Sequence, residues 1–417
     1  MICSTRILIG LILSYPVASY GQQDLHRAGD FKEGYDQSYQ TNSLSLDYRA
    51  LNKKKFNLIE GSSDQLGLPS LPIPEGNPLT LNKVDLGKKL FFDRRLSLNN
   101  TFSCAMCHIP EQGFSSNELR TSVGIEGRTV RRNAPTIYNV AHMKNLFHDA
   151  REDSLEWQVW SPLLAKNEMG NPSFASVVNK IKSIKSYDSL FEDAFGGQGV
   201  SVVTIGKALA SYQRVLVSAD SDFDRWHYAN HKGSMNKEEK LGFKLFIGKA
   251  KCVNCHSIGN QYALFTDNKL HNTGIGYLSS MSPGRGDISV QVSPGIYIQA
   301  SRRVINTVSE KVESDLGLYE ITENPDHRWQ YRTPSLRNIA LTSPYMHNGS
   351  ISSLTEVVQF YNRGGISNPL ISPLIQPLNL NTTEVELLVN FLNSLTGNNV
   401  NNLVEDAFNA PVGEVIH

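Results

Sequence analysis

The chain has 417 residues, 40% of them hydrophobic, which is enough to bury two cores of ordinary domain size. Its 40 basic and 40 acidic residues cancel, so no general positive field or long basic run points to nucleic acid, and a charged partner has to be met by a local patch.

Arg6 followed by the apolar run Ile7 to Leu13, then small and polar residues through Ala18, Ser19 and Gly21, reads as a secretory signal over 1–21 with cleavage near Gly21. A retained anchor is the rival, but the run is too short to span a bilayer, and Cys3 lies too early for a lipoprotein cysteine. Export to a bacterial periplasm, with no membrane anchor, is the expected address. Residues 22–70 are polar without a sustained period and read as an extended lead-in. Leu68-Pro69, Leu71-Pro72 and Ile73-Pro74 then punctuate the entry to the first helical pattern, Leu86-Gly87-Lys88-Lys89-Leu90-Phe91.

That helix leads into Cys104-Ala105-Met106-Cys107-His108. Two thiols two residues apart, with an imidazole immediately after, suit thioether bonds to haem vinyl groups and ligation of the iron from one side. A single Cys-x-x-Cys also suits a redox dithiol or half a zinc site, but a second copy, Cys252-Val253-Asn254-Cys255-His256, makes those readings weak. Two covalently bound haem c groups are therefore expected, and loss of the signal would leave these four cysteines alone. The second motif is also preceded by a helical pattern, Leu241-Gly242-Phe243-Lys244-Leu245-Phe246. The repeat of helix then haem site predicts two related haem domains, 71–230 and 235–400, with a boundary near Ala229 to Met235 and a tail over 401–417.

Between the motifs, Ser154 to Leu164 and Thr204 to Val217 carry helical periodicity. Ser257 to Trp329 is long, polar and Gly-rich, an elaborated loop or a small subdomain. Ser353 with Glu356 reads as a capping box ahead of Leu354, Val357, Val358 and Tyr361 on one face, ended by Gly364-Gly365. Thr383 with Glu386 reads as another, ahead of Leu387, Leu388, Phe391, Leu392 and Leu395. Few stretches alternate as strands do. The expected fold class is mainly α: two cytochrome c-like haem domains with long loops.

Several segments together resemble the bacterial di-haem cytochrome c peroxidase family, including its MauG-type enzymes: Leu86 to Ser97, Ser103 to His108, Arg132-Asn133-Ala134-Pro135-Thr136, Asn167-Glu168-Met169-Gly170, Pro334 to Asn338 and Pro344-Tyr345-Met346-His347-Asn348-Gly349. The resemblance covers roughly Leu71 to Gly397. It implies an N-terminal haem that reacts with hydrogen peroxide and a C-terminal haem that supplies or stores electrons. His108 is then the proximal ligand of the first, with Gln158 and Glu168 in its distal pocket. Cleaving the peroxide bond needs a base for the first proton and an acid that returns it to the leaving oxygen, and one carboxyl beside an amide can do both. Where many members carry a second histidine ligand, the matching loop Ser122 to Gly127 places Ile125, so the resemblance implies a five-coordinate first haem. His142 and His148 are the rival ligands. At the second haem His256 is proximal, and the opposite ligand is implied to be Tyr361, fourteen residues after His347, with Met346 as the rival.

Two further implications concern the space between the haems. Members commonly carry Phe-Trp-Asp-Gly-Arg where this chain has Phe147-His148-Asp149-Ala150-Arg151, which removes the indole relay and leaves Trp157 or Trp160 as substitutes. A calcium ion is implied between the domains, at Asn133, Thr342 and Pro344, all oxygen donors suited to a hard cation. The implied activity is an oxidoreductase that reduces hydrogen peroxide with electrons from a small redox protein, or one that oxidises a residue of a partner protein substrate. A non-enzymatic di-haem electron carrier is the alternative from another class.

Overall fold

The computed structural model describes residues 56–281, 287–293, 296–301 and 314–410. The signal over 1–21 and the lead-in as far as residue 55 lie outside the described residues. What is described is mainly helical: α1 (Leu58–Ser62), α2 (Leu81–Phe92), α3 (Leu155–Gln158), α4 (Trp160–Leu164), α5 (Phe174–Lys182), α6 (Leu190–Ala194), α7 (Val202–Arg214), α8 (Asp222–His227), α9 (Lys237–Ile247), α10 (Ile275–Met281), α11 (Tyr319–Thr322), α12 (Leu354–Asn362), α13 (Thr382–Asn393) and α14 (Val400–Phe408).

Two large apolar cores, and a small third cluster of Leu146, Leu155 and Ala210, are found among the described residues. The first joins Leu90 and Phe91 of α2 to Leu209 and Tyr212 of α7, and the second joins Phe243 and Phe246 of α9 to Leu388 and Phe391 of α13. Each is built on one helix crossing at a glycine. A Cβ on Gly87 would stand 1.9 Å from the carbonyl oxygen of Ala208, and a Cβ on Gly242 would stand 1.9 Å from that of Leu387. Only glycine lets the two backbones meet so closely. The repeat read from Leu86-Gly87 and Leu241-Gly242 is therefore a repeat of packing. Gly242→Ala should cost about 1–3 kcal/mol through overpacking, seen as a lowered Tm; a variant that melts with the parent would mean the crossing has slack.

The cores also show how three boundary stretches pack. Leu216 belongs to the first core and Phe223 to the second, so the change of core falls between them, ahead of 229–235. The lead-in is anchored from residue 56: Leu58 is buried in the first core, while the Gly67 carbonyl accepts from Ala263 and Arg337 of the second unit. The expected tail is helix α14 over 400–408, which returns Leu403 and Ala407 to the first core and pairs Asp406 with Lys88 at 2.8 Å.

Local corrections are smaller. The helix expected over Ser154 to Leu164 is two short helices around Val159. The cap of α13 is Asn381, boxed with Glu384, two residues before the expected Thr383 pair. The stretch from Ser257 to Trp329 contains a hairpin of β2 (Asp287–Ser293) with β3 (Ile296–Ser301), and β1 (Leu270–His271) pairs antiparallel with β4 (Tyr331–Arg332). Ser353 and Glu356 box α12 as expected, and Gly364 and Gly365 follow it at φ +81° and +67°.

Candidate active site

A cavity of about 740 Å³ is lined by both Cys-x-x-Cys-His motifs together with Glu168, Gln158, Met346 and Tyr361. The two motifs are held alike. Each pair of cysteines brackets a single tight turn, Cys104–Met106 closed by Cys107 or Cys252–Asn254 closed by Cys255, and all four line the cavity. His108 Nδ1 donates to the Phe114 carbonyl at 3.1 Å and His256 Nδ1 to the Phe265 carbonyl at 2.8 Å. Phe114 and Phe265 both hold positive φ, +50° and +51°, to aim those carbonyls. A ring nitrogen that faces a carbonyl must carry the hydrogen, so in each histidine the lone pair is on Nε2, as iron ligation requires.

The four cysteines form no disulfide. Burial pushes the thiols of Cys104, Cys107 and Cys252 up to about 12 and that of Cys255 up to about 11. Zinc would need thiolates, which these surroundings oppose; neutral thiols suit thioether formation. Arg332 adds an independent fit. Its guanidinium is enclosed in the cavity wall, donates to the Phe147 carbonyl at 3.1 Å, and has its pKa pulled down to about 10 by burial, with no carboxylate among its contacts. A buried cation facing a cavity calls for an anion there, as haem propionates would supply. The residues present fit two haems.

The two ends of the cavity differ. At the first, α3 carries Gln158 and the turn after α4 carries Glu168, with Pro162 between them also in the wall. Burial raises the Glu168 pKa, and the Arg151 guanidinium opposes the rise. Glu168 in turn raises the Cys104 and Cys107 thiols, which places it beside the first motif. The Ser122 to Gly127 loop lies behind Glu168: Ile125 N donates to the Glu168 carbonyl at 2.9 Å, and Ile125 is buried against Gly170. Ile125 is not part of the cavity lining, so the position excludes iron ligation by direction as well as by chemistry.

At the second end, Tyr361 projects from α12 with its phenol enclosed and its pKa raised, by burial first and then by Cys255 and Cys252. Met346 lines the cavity from a turn of its own, at φ +73°.

Between the ends lies a polar partition. His148 Nε2 is engaged with the Asn133 carbonyl at 2.9 Å, and His142 is outside the cavity lining. Burial holds both rings neutral, down to about 4. Arg132 joins the two units by pairing with Asp149 at 2.6 Å and with Asp315 at 2.6 Å. The suggested indole relays fail on position: Trp157 is 52% exposed, Trp160 packs on Phe174, and neither lines the cavity. Instead Tyr331 stacks on His347 in the cavity wall, 3.5 Å between centroids at 10°. Sequence reasoning missed Arg332 and Tyr331 and gave Arg132 and His347 no such role, because the partners of all four are distant in the chain.

Asn133, Thr342 and Pro344 share the cavity wall. The Asn133 amide donates to the Arg120 carbonyl at 3.0 Å, which leaves its oxygen as a donor to a cation. Among the described residues no group of three acidic or histidine ligands converges at that wall; the one such group, Cys255 with Asp267 and His271, contains a motif cysteine.

Two helical units that open paired thiols and an Nε2 on one cavity, with Glu168 and Gln158 in its wall beside the first pair, define an oxidoreductase built to hold haem. The family model for di-haem cytochrome c peroxidase matches residues 81–232. The cytochrome-c peroxidase IdrP1 of a Pseudomonas species is 36% identical over 339 residues, covering 79% of this chain and 84% of that protein. The methylamine utilization protein MauG of Methylorubrum extorquens is 36% identical over 327 residues, covering 78% and 81%. A solved MauG-like protein associated with microbial copper homeostasis superposes with a TM-score of 0.67 at 31% identity, over 83% of this chain and 97% of that one. This chain belongs to the di-haem cytochrome c peroxidase family. Among the described residues no helix is long and apolar enough to cross a membrane.

Proposed function

We propose that the protein is a periplasmic di-haem c-type peroxidase that reacts with hydrogen peroxide at the His108 end of the cavity and exchanges electrons through the His256 end. The observation that carries this reading is the asymmetry of the cavity: an enclosed carboxyl, Glu168, with an amide, Gln158, at the first motif, and a phenol, Tyr361, at the second. Cys104, Cys107 and His108 would hold one haem and Cys252, Cys255 and His256 the other, and the haems would supply the iron and the redox capacity for peroxide reduction. Glu168 would take a proton from one oxygen of the peroxide and return it to the other. Gln158 orients both oxygens, and the apolar wall from Pro162 keeps bulk water from competing for the proton.

Tyr361 and Ile125 favour the MauG-type variant of this chemistry, in which the oxidising equivalents reach a residue of a partner protein; a small redox protein as electron donor is the other outlet. Asn133, Thr342 and Pro344 are the oxygen donors we assign to calcium, completed by water.

EPR and optical spectra of the purified protein before and after one equivalent of peroxide test the reading. A high-spin signal that disappears on peroxide addition is expected. Two low-spin signals that ignore peroxide would identify a non-enzymatic electron carrier and sink the enzyme reading.

A further inference from the structure

The two units repeat more than a helix and a motif. Residues 133–152 and 332–351 follow the same course. Asn139 and Asn338 hold positive φ, +60° and +59°, as do Phe147 and Met346, +61° and +73°, and Ala150 and Gly349, +59° and +62°. The tight turns Val140–His142 and Ile339–Leu341 match, and so do the bridges from Leu146 to Glu152 and from Tyr345 to Ile351. In this register His148 corresponds to His347, and Asn133 to Arg332. The two copies clasp each other reciprocally: Asn133 N donates to the His347 carbonyl at 2.8 Å, and Arg332 N to the His148 carbonyl at 2.7 Å.

The backbones of the clasp are alike, but the side chains are not. Asn133 turns its amide to the Arg120 carbonyl, within its own unit. Arg332 crosses to the other unit, where Nε donates to the Phe147 carbonyl at 3.1 Å and Nη1 to the Met143 sulfur at 3.4 Å. Both acceptors are neutral, and Nη2 has no partner among the described residues. The carboxylates of the cavity wall are engaged elsewhere: Asp149 pairs with Arg132 and Arg151, Glu320 pairs with Arg131, and Glu168 stands beside the first motif. Asp315, behind the wall, is taken by Arg132. Burial keeps His148 and His347 neutral, down to about 4 and about 3, so neither changes charge near neutral pH. One copy of a repeated structure thus holds a positive charge open on the cavity, and the other holds none.

We propose that Arg332 pairs with a haem carboxylate at the partition and thereby raises the potential of that haem. This rests on the reading that each Cys-x-x-Cys-His motif carries a haem. An enclosed cation is stable only beside an anion, and the chain offers Arg332 none, so its partner has to come from the occupant of the cavity. A positive charge beside a haem favours the reduced form, and charge and hydrogen bonding around the group are levers a protein has on its potential. The same pairing keeps the carboxylate ionised, since a guanidinium opposes the rise in its pKa that burial would bring. Because Arg332 belongs to the second unit and its side chain is held by Met143 and Phe147 of the first, the tuning acts across the clasp. Arg332 is a positioning residue and takes no part in the bond changes at peroxide.

The test is redox titration of the full-length protein with both haems, followed optically at several pH values. Arg332→Met should shift the reduction equilibrium of one haem at least tenfold towards the oxidised form, a fall in potential of about 59 mV. The fall, taken against the parent at each pH, should shrink as pH is lowered, because an enclosed carboxylate without its guanidinium takes up a proton. A loss of packing alone would not follow pH in this way. Arg332→Lys keeps the charge without the planar fork, so its fall should be smaller, and it serves if the Met variant does not fold. Added phosphate at constant ionic strength should leave the parent potentials in place. Potentials that match the parent in the variants, or a fall independent of pH, would overturn the pairing and leave the peroxidase reading standing. A parent potential that follows phosphate, with the response lost in Arg332→Met, would give the guanidinium to a free anion and also overturn it. A purified protein without haem absorption would overturn both.

Discussion

Glu168→Gln should slow the reaction with peroxide by about 10²–10⁴-fold, the range over which positioned acid–base groups act. The amide keeps the size of the side chain and its place over the first motif, so what is removed is the ability to take up and return a proton. Stopped-flow mixing with peroxide, followed in the haem absorption, measures this step before any donor is involved. The pH dependence carries a second signature. Burial holds the Glu168 carboxyl above its ordinary range, and the base that accepts the first proton is its ionised form. The parent rate should therefore rise with pH through that raised pKa, and the Gln variant should lose the rise. Arg151 is the opposing influence, so removing its charge should move the midpoint to higher pH. An unchanged rate and an unchanged profile in Glu168→Gln would take Glu168 out of the mechanism.

What the sequence makes legible here follows the range of each signal. Cys104 to His108 and Cys252 to His256 declare themselves because the chemistry is complete within five adjacent residues. The helices leading to them are also readable, although the physical reason for Gly87 and Gly242 lies more than a hundred residues away, in the carbonyls of Ala208 and Leu387. The capping box of α12 is local and is found where expected. That of α13 is displaced because Asn381 caps as well as Thr383 does, and tertiary contact of Val385 and Leu388 decides between them. The β2 and β3 hairpin had a usable signal in the alternation of Ile288, Val290 and Val292, with Pro294-Gly295 before the next run, which the surrounding polar and Gly-rich sequence obscured. No local pattern announces that α14 returns to the first core, because Lys88 and Asp406 are 318 residues apart. The same holds for the partition: Arg132 is ordinary until Asp315 is brought to it.

The ligand at the second end is where resemblance and geometry can be separated by experiment. Tyr361→Phe should raise the potential of the C-terminal haem by on the order of 100 mV and change its absorption and EPR spectra, because a phenolate oxygen that stabilises the oxidised iron is lost. Tyr361 is aimed by its helix: Ser353 and Glu356 fix the start of α12, and Leu354 and Val357 line the cavity on the same face as Tyr361. Before metal binds, burial and the two thiols hold the phenol protonated. A ferric iron held at this end would reverse the balance, since a nearby positive charge favours the anion and thioether formation would remove both thiols from the site. Coordination should therefore release one proton, measurable as a potential of the parent that falls with rising pH over the range where the phenol binds, and absent in the Phe variant. Met346→Leu should leave spectrum and potential unchanged. The reverse result, a spectrum altered by Met346→Leu and indifferent to Tyr361→Phe, would assign a thioether sulfur to the iron, and a sulfur ligand raises the potential. In that case the second haem would be tuned to accept electrons from a donor. With Tyr361 as the ligand it would be tuned to hold oxidising equivalents, the property expected where the outlet is a partner residue and not a redox protein.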